Sequence, residues 1–135
     1  MNTLASAGRN LFVLGGAILL LCACGDGGGT PADKLGVAAE CAATTDCNTD
    51  DNLVCLTQFK GGYCGQSGCA KTEDCPTGAV CITHDDQNNY CFRSCVDKVD
   101  CNANRGPDNE ANCSSSVTFA DGNKAGKVCV PPTGS

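Results

Sequence analysis

The chain has no tryptophan, one methionine, one histidine, two tyrosines and four phenylalanines in 135 residues. So few large apolar side chains cannot offset the conformational entropy of folding by burial alone. The single imidazole, His84, leaves nucleophilic catalysis short of a base. It falls in the polar turn His84-Asp85-Asp86, where an exposed side chain is expected. Basic residues are also few, with nine Lys and Arg against fifteen Asp and Glu and a formal net charge of −6. The acidic residues are spread out, which serves solubility and excludes nucleic acid as a partner. There is no Cys-x-x-Cys of the redox type. Cys91-x3-Cys95, a close cysteine pair of the structural-zinc kind, straddles a repeat boundary. Paired carboxylates of the glycosidase type need a rigid cleft that small modules do not offer. The chain is therefore expected to be no enzyme, with no catalytic residues, no metal and no cofactor.

Long hydrophobic runs are missing too. Leu11 to Leu21 is eleven residues long and is interrupted by Gly15 and Gly16. That is short of the roughly 20 residues a transmembrane helix needs, but it suits the apolar region of a secretory signal, with Arg9 as the preceding positive charge. The run ends Leu21-Cys22-Ala23-Cys24-Gly25, which resembles a bacterial lipobox. The resemblance implies cleavage before Cys24 and lipidation of its thiol. Residues 1–23 are then the signal peptide, and the lipid chains hold the protein to the membrane at about 0.8 kcal/mol per buried CH₂. In enterobacterial-type lipoproteins an aspartate directly after the cysteine implies inner-membrane retention. Here Gly25 holds that place and Asp26 follows it, so outer membrane or cell surface is expected. Residues 24–40 are Gly-rich without an apolar period and are expected to form a flexible tether.

What the chain has in quantity is cysteine. Fourteen of its residues are cysteines, about the tenth that marks a disulfide scaffold in a short exported chain. Twelve of them fall between Cys41 and Cys129 in three groups of four. These are Cys41, Cys47, Cys55 and Cys64; Cys69, Cys75, Cys81 and Cys91; and Cys95, Cys101, Cys113 and Cys129. In each group five residues separate the first two cysteines, and an aspartate (Asp46, Asp74 or Asp100) precedes the second. Such a period marks repeated supersecondary units. They span residues 41–68, 69–94 and 95–130, with short spacers at Gly65 to Gly68 and Phe92 to Ser94, and a disordered tail is expected over 131–135.

Within a unit the pattern turns β-prone at the third cysteine. Val54-Cys55-Leu56-Thr57 and Val80-Cys81-Ile82-Thr83 are followed by polar turns and then by Tyr63-Cys64 and Tyr90-Cys91. Each reads as a β-hairpin with the third cysteine on one strand and the fourth on the other. In unit three the expected strands are Val117-Thr118-Phe119 and Val128-Cys129-Val130, joined by a turn at Asp121-Gly122-Asn123. An isolated hairpin is marginal in water, so bridges must tie each one down. The fold class is small and disulfide-rich, three tandem loop-plus-hairpin modules with little helix apart from the signal peptide.

Four cysteines allow three pairings per unit, and the sequence does not choose strictly among them. First-to-second closes only a small local loop and leaves the hairpin free. First-to-third with second-to-fourth fastens both strands to the C-x5-C loop. That gives Cys41–Cys55, Cys47–Cys64, Cys69–Cys81, Cys75–Cys91, Cys95–Cys113 and Cys101–Cys129. Each loop of roughly 15 residues closed this way is worth about 3 kcal/mol in the chain-entropy model.

The C-x5-DC element followed by C and YC resembles the cysteine-rich modules of the Dickkopf N-terminal type. It is more loosely similar to whey-acidic-protein domains, whose matching cysteines pair in the crossed manner. Whey-acidic-protein domains carry an adjacent Cys-Cys pair that this chain lacks, so protease inhibition does not carry over. Joined to a lipobox, such units look like myxobacterial-type lipoproteins. The lipobox resemblance implies a lipid-anchored envelope protein, while receptor binding by animal Dickkopf proteins does not carry over. Disulfide-tied arrays present loops at a distance from the membrane, and loops carry recognition, so display for binding or adhesion is expected, with a protein or glycan partner. The alternatives are a passive structural envelope protein and a secreted inhibitor-like module. The last would need a protruding rigid loop, for which the Asn102 to Asn112 insert is the candidate. The aspartates before each second cysteine are read as acceptors of turn N–H groups rather than calcium ligands, since single scattered carboxylates make no cage. Tyr63 and Tyr90 are read as covering bridges within their units, and Asp50-Asp51 and Asp85-Asp86 as solvated loops.

An exported, processed chain built this way has no free thiol. Thiol titration of the denatured, unreduced protein is expected to find only a trace, and a full equivalent per chain would overturn the scaffold.

Overall fold

The computed structural model describes residues 36–122 and 126–134. The signal peptide, Cys22, the proposed lipidation site Cys24 and most of the tether lie outside the described residues.

Six disulfides link the twelve scaffold cysteines, as Cys41–Cys55, Cys47–Cys64, Cys69–Cys81, Cys75–Cys91, Cys95–Cys113 and Cys101–Cys129. Unit one carries β1 (Val54–Cys55) and β2 (Cys64–Gly65). Unit two carries β3 (Ala79–Thr83) and β4 (Asn89–Cys95). Unit three carries α1 (Lys98–Asn102), β5 (Asn112–Ser114), β6 (Thr118–Phe119) and β7 (Lys127–Val130). Among the described residues strands and bridges dominate, and helix is almost absent.

One rule of register repeats. Cys55 faces Cys64 across β1 and β2, Cys81 faces Cys91 across β3 and β4, and Cys113 faces Cys129 across β5 and β7. The third and fourth cysteines of every unit are thus cross-strand neighbours. Their sulfurs turn back to the C-x5-C loop rather than to each other, and each loop is stapled to both strands.

That rule corrects the expected hairpin of unit three. The partner of β7 is β5, not the Val117–Phe119 stretch, because only residues around Cys113 can set that cysteine opposite Cys129. Thr118 and Phe119 instead form β6 and pair with Thr83 and Ile82 of β3. Phe119 is buried there, which it could not be on an isolated hairpin. The result is an antiparallel sheet of five strands in the order β5-β7-β4-β3-β6. β4 and β7 join units two and three through Ser94↔Val128 and Cys95↔Lys127. Phe92 to Ser94, expected as a spacer, therefore lies inside β4.

Unit one packs on this sheet through rings. Phe59 meets Tyr63, Tyr90 and Phe92 edge-on at centroid distances of 6.0, 5.2 and 5.7 Å, and Tyr63 meets Phe92 at 5.2 Å. Phe59, Tyr63 and Phe92 are fully or almost fully buried. Edge-on ring pairs at these distances are worth about 0.5–1.5 kcal/mol beyond their area. The Tyr63 hydroxyl donates to the Cys129 carbonyl at 3.3 Å and accepts from the Arg93 N–H at 3.1 Å. Tyr63 was expected to cover bridges in its own unit. It does more, reaching from unit one into units two and three.

Both ends differ from expectation. The last tether residues are packed: Val37 and Ala38 are buried, and Ala38 N–H donates to the Cys64 carbonyl. The tail is docked over 131–134. Lys60 N–H donates to the Pro132 carbonyl, Gly134 N–H donates to the Gln58 carbonyl, and Thr133 bridges to Phe59. Backbone groups of the unit-one turn need partners, and the tail supplies them.

Gly62 shows how tight the stapled turn is. Its φ is +67°, and a Cβ there would sit 2.1 Å from the Cys41 carbonyl oxygen and 2.8 Å from both sulfurs of Cys41–Cys55. Gly62→Ala is expected to cost about 3 kcal/mol, seen as a lowered Tm, while the same change at Gly68, where nothing lies within 4 Å, costs less.

Candidate binding surface

The three repeated aspartates do one job. The Asp46 carboxylate accepts N–H bonds from Ala42 and Ala43, both at 2.9 Å. Asp74 accepts from Ala70 and Lys71 at 2.9 and 3.1 Å. Asp100 accepts from Val96 and Asp97 at 2.8 and 3.0 Å. In every case one carboxylate oxygen, Oδ2, clamps the two N–H groups that open the short helical turn before the second cysteine. These bonds hold all three carboxyls below the ordinary aspartate range, led by the N–H of Ala43, Ala70 and Asp97 respectively. With that oxygen committed to backbone, the aspartates serve the fold.

The insert between Cys101 and Cys113 is fastened to the rest of the molecule. Its Arg105 donates to the carbonyls of Asn109 (2.6 Å), Ala38 (3.2 Å), Gly62 (2.9 Å) and Lys60 (2.8 Å). The guanidinium carbon lies 5.9 Å from the Tyr63 ring centroid. Glu40 completes the clasp, accepting from Gly106 N–H at 2.8 Å and from Asn109 Nδ2 at 2.7 Å. The Gly106 bond is the main reason its carboxyl sits low. The insert is thus a strap fastening unit three to unit one.

His84 was expected to be exposed, but its side chain is only 9% exposed. The ring packs edge-on against Phe59 at 5.2 Å and Phe92 at 5.9 Å. Its Nδ1 is buried without a hydrogen bond and lies 3.6 Å from Asp86 Oδ1. Asp86 accepts from the Tyr90 hydroxyl at 2.7 Å and from Asn88 N–H at 3.0 Å. The phenol bond leads in holding the Asp86 carboxyl low, while burial pushes the Tyr90 phenol up. A cleft of about 110 Å³ beside His84 is also lined by Thr83, Ser116 and Thr118. It holds an imidazole but no nucleophile hydrogen-bonded to it.

Close groups of metal-ligating atoms among the described residues are Cys41, Cys47 and Cys64; Cys69, Cys75 and Cys81; and Cys95, Cys101 and Cys129. All of these sulfurs are in disulfides and have no thiolate to give a metal.

One corner of the surface stands apart. Val96 and Val99, in the C-x5-C loop of unit three, are each 73% exposed. The matching places hold Ala42 and Thr45 in unit one and Ala70 and Glu73 in unit two. The aspartate clamp and the bridges hold all three loops, so the valines answer no shared structural need. Lys98 and Glu110 form an ion pair beside them. No described aromatic ring is exposed: Phe59, Tyr63, Tyr90, Phe92 and Phe119 are all buried.

Comparison of the chain with protein-family models, curated proteins and solved structures gives no match. Six disulfides place the folded part in an oxidising environment. Among the described residues no helix is long and apolar enough to cross a membrane.

The clamp has a pH signature. A carboxyl whose folded-state value is depressed adds stability above its unfolded value and loses it as pH falls through the folded one. Replacing Asp46, Asp74 and Asp100 by Asn is expected to lower Tm at neutral pH and to flatten the acid limb of the Tm–pH curve. Parallel curves for variant and parent would show that the carboxylate charge is not what holds the turns.

Proposed function

We propose that this chain is a lipid-anchored, non-catalytic protein of the cell envelope that binds a partner protein through the Val96–Val99 corner of unit three. The observation that carries the reading is that pair of exposed valines, set on a rigid loop where the sister units have small or polar residues. Exposed apolar side chains beside charged groups favour a protein contact. A glycan site would use an open aromatic face, and every described ring is buried. The net charge of −6 disfavours nucleic acid. The lipobox-like ending at Cys24 supports attachment by lipid, with outer membrane or cell surface as the proposed location. Recognition of this kind requires no cofactor.

Two variants separate anchoring from binding. Cys24→Ser is expected to block processing and release the protein from the membrane fraction, with the thermal melt of the folded part unchanged. Val96→Asp with Val99→Asp is expected to leave anchoring and Tm intact while lowering crosslinked capture of a defined envelope protein about tenfold or more. Equal capture by parent and double variant would favour a passive structural role.

A further inference from the structure

The six bridges are not equally reachable. Five contain at least one buried cysteine: Cys41, Cys47 with Cys64, Cys69 with Cys81, Cys91, and Cys101 with Cys129. In Cys95–Cys113 both residues are only partly buried. A surface cleft of about 170 Å³, lined by Ser94, Cys95, Val96 and Asp100, opens onto the Cys95 side. The surrounding charges do not close it to an anionic nucleophile. The Asp100 carboxylate is turned to the N–H groups of Val96 and Asp97, and Glu110 is paired with Lys98. Asp97 is exposed in the same loop. Against it stands Lys127, opposite Cys95 in the β4–β7 register, whose ammonium donates to the Val96 carbonyl at 3.3 Å.

We propose that Cys95–Cys113 is a thiol–disulfide exchange site whose reactant is a dithiol. The dithiol's thiolate attacks one bridge sulfur and forms a mixed disulfide, expelling the other cysteine as thiolate. The reactant's second thiolate then attacks the mixed disulfide and leaves as its own intramolecular disulfide. Two electrons pass to the protein, both cysteines end as thiols after taking up two protons, and the dithiol is oxidised. Exchange depends on thiolate access and on stabilisation of the departing thiolate. The cleft provides the first and Lys127 the second. The fold survives the step, because the Cys101–Cys129 bridge still ties α1 to β7, and the β4–β7 and β5–β7 ladders do not pass through the opened bond. The bridge is thus a local redox-responsive element that does not depend on lipid anchoring, and its cleft borders the Val96 corner.

The test is pulsed reduction of the folded, exported protein by dithiothreitol, followed by alkylation and mass mapping of the labelled cysteines. Cys95 and Cys113 are expected to be labelled together, about tenfold or more ahead of any other pair, with the thermal melt still cooperative. First labelling of another bridge, or of all twelve scaffold cysteines at once, would overturn the proposal. A Cys95→Ser, Cys113→Ser variant is expected to lose the fast phase and keep the slow ones. The wild-type measurement decides the matter even where that variant fails to fold.

Discussion

Each hairpin in this protein sets its third and fourth cysteines side by side on neighbouring strands, and neither bonds to the other. This constraint organises the molecule. A bond between the facing cysteines would close a hairpin that its turn already closes, leaving the preceding loop loose. Sending each sulfur back to the C-x5-C loop makes two interlocked rings per unit, and the strands cannot slip in register without breaking both. The aspartate clamp belongs to the same device. It fixes the turn that delivers the second cysteine, so that both loop sulfurs arrive where the strands need them. Backbone entropy is removed from the unfolded chain at each unit in turn, and a modest set of rings then suffices to join the units.

The rings make one body out of three units. Phe59 and Tyr63 come from the turn of unit one, Tyr90 and Phe92 from β4 of unit two, and the Tyr63 hydroxyl is held between Arg93 and Cys129. Arg105 answers from unit three, its guanidinium bonded to the carbonyls of Lys60 and Gly62 in unit one and of Ala38 just before it. Burial lowers its basicity, and Tyr63 and Glu40 partly offset the effect. The long insert of unit three, which looks like a display loop in one dimension, is a clasp in three. The variation available for recognition lies instead in the short loops, where positions between the first two cysteines face water and only the clamp and bridges are fixed.

What was legible in the sequence was whatever repeats locally. The C-x5-DC spacing, the strand at the third cysteine and the turn role of Asp46, Asp74 and Asp100 all rest on contacts within a few residues. The sequence also carried the small disulfide-rich fold class. What was not legible depends on distant partners. β6 could not be assigned to β3, because Val117-Thr118-Phe119 reads as the partner of the Cys129 strand, and only the register rule moves it elsewhere. His84 sits in a polar stretch, and nothing nearby signals that Phe59, some 25 residues earlier in the chain, will cover it. The exposed valines were unremarkable as letters. Only alignment of the units against one another, with the burial of each place known, singles out Val96 and Val99.

The docking of both flanks of the described residues has a topological consequence. Residues 36–39 pack beside Cys64, and residues 132–134 run along Gln58 and Lys60. Residues 36 and 134 therefore border the same unit, while the sheet that carries units two and three lies between them in sequence. Joined as a ring from residue 134 back to residue 36, the folded part would keep every bridge and every ladder. The polar turn at Asp85 to Asn88, exposed throughout, would then be a natural place to open it again. The order of the units along the gene is one of several that would give the same solid.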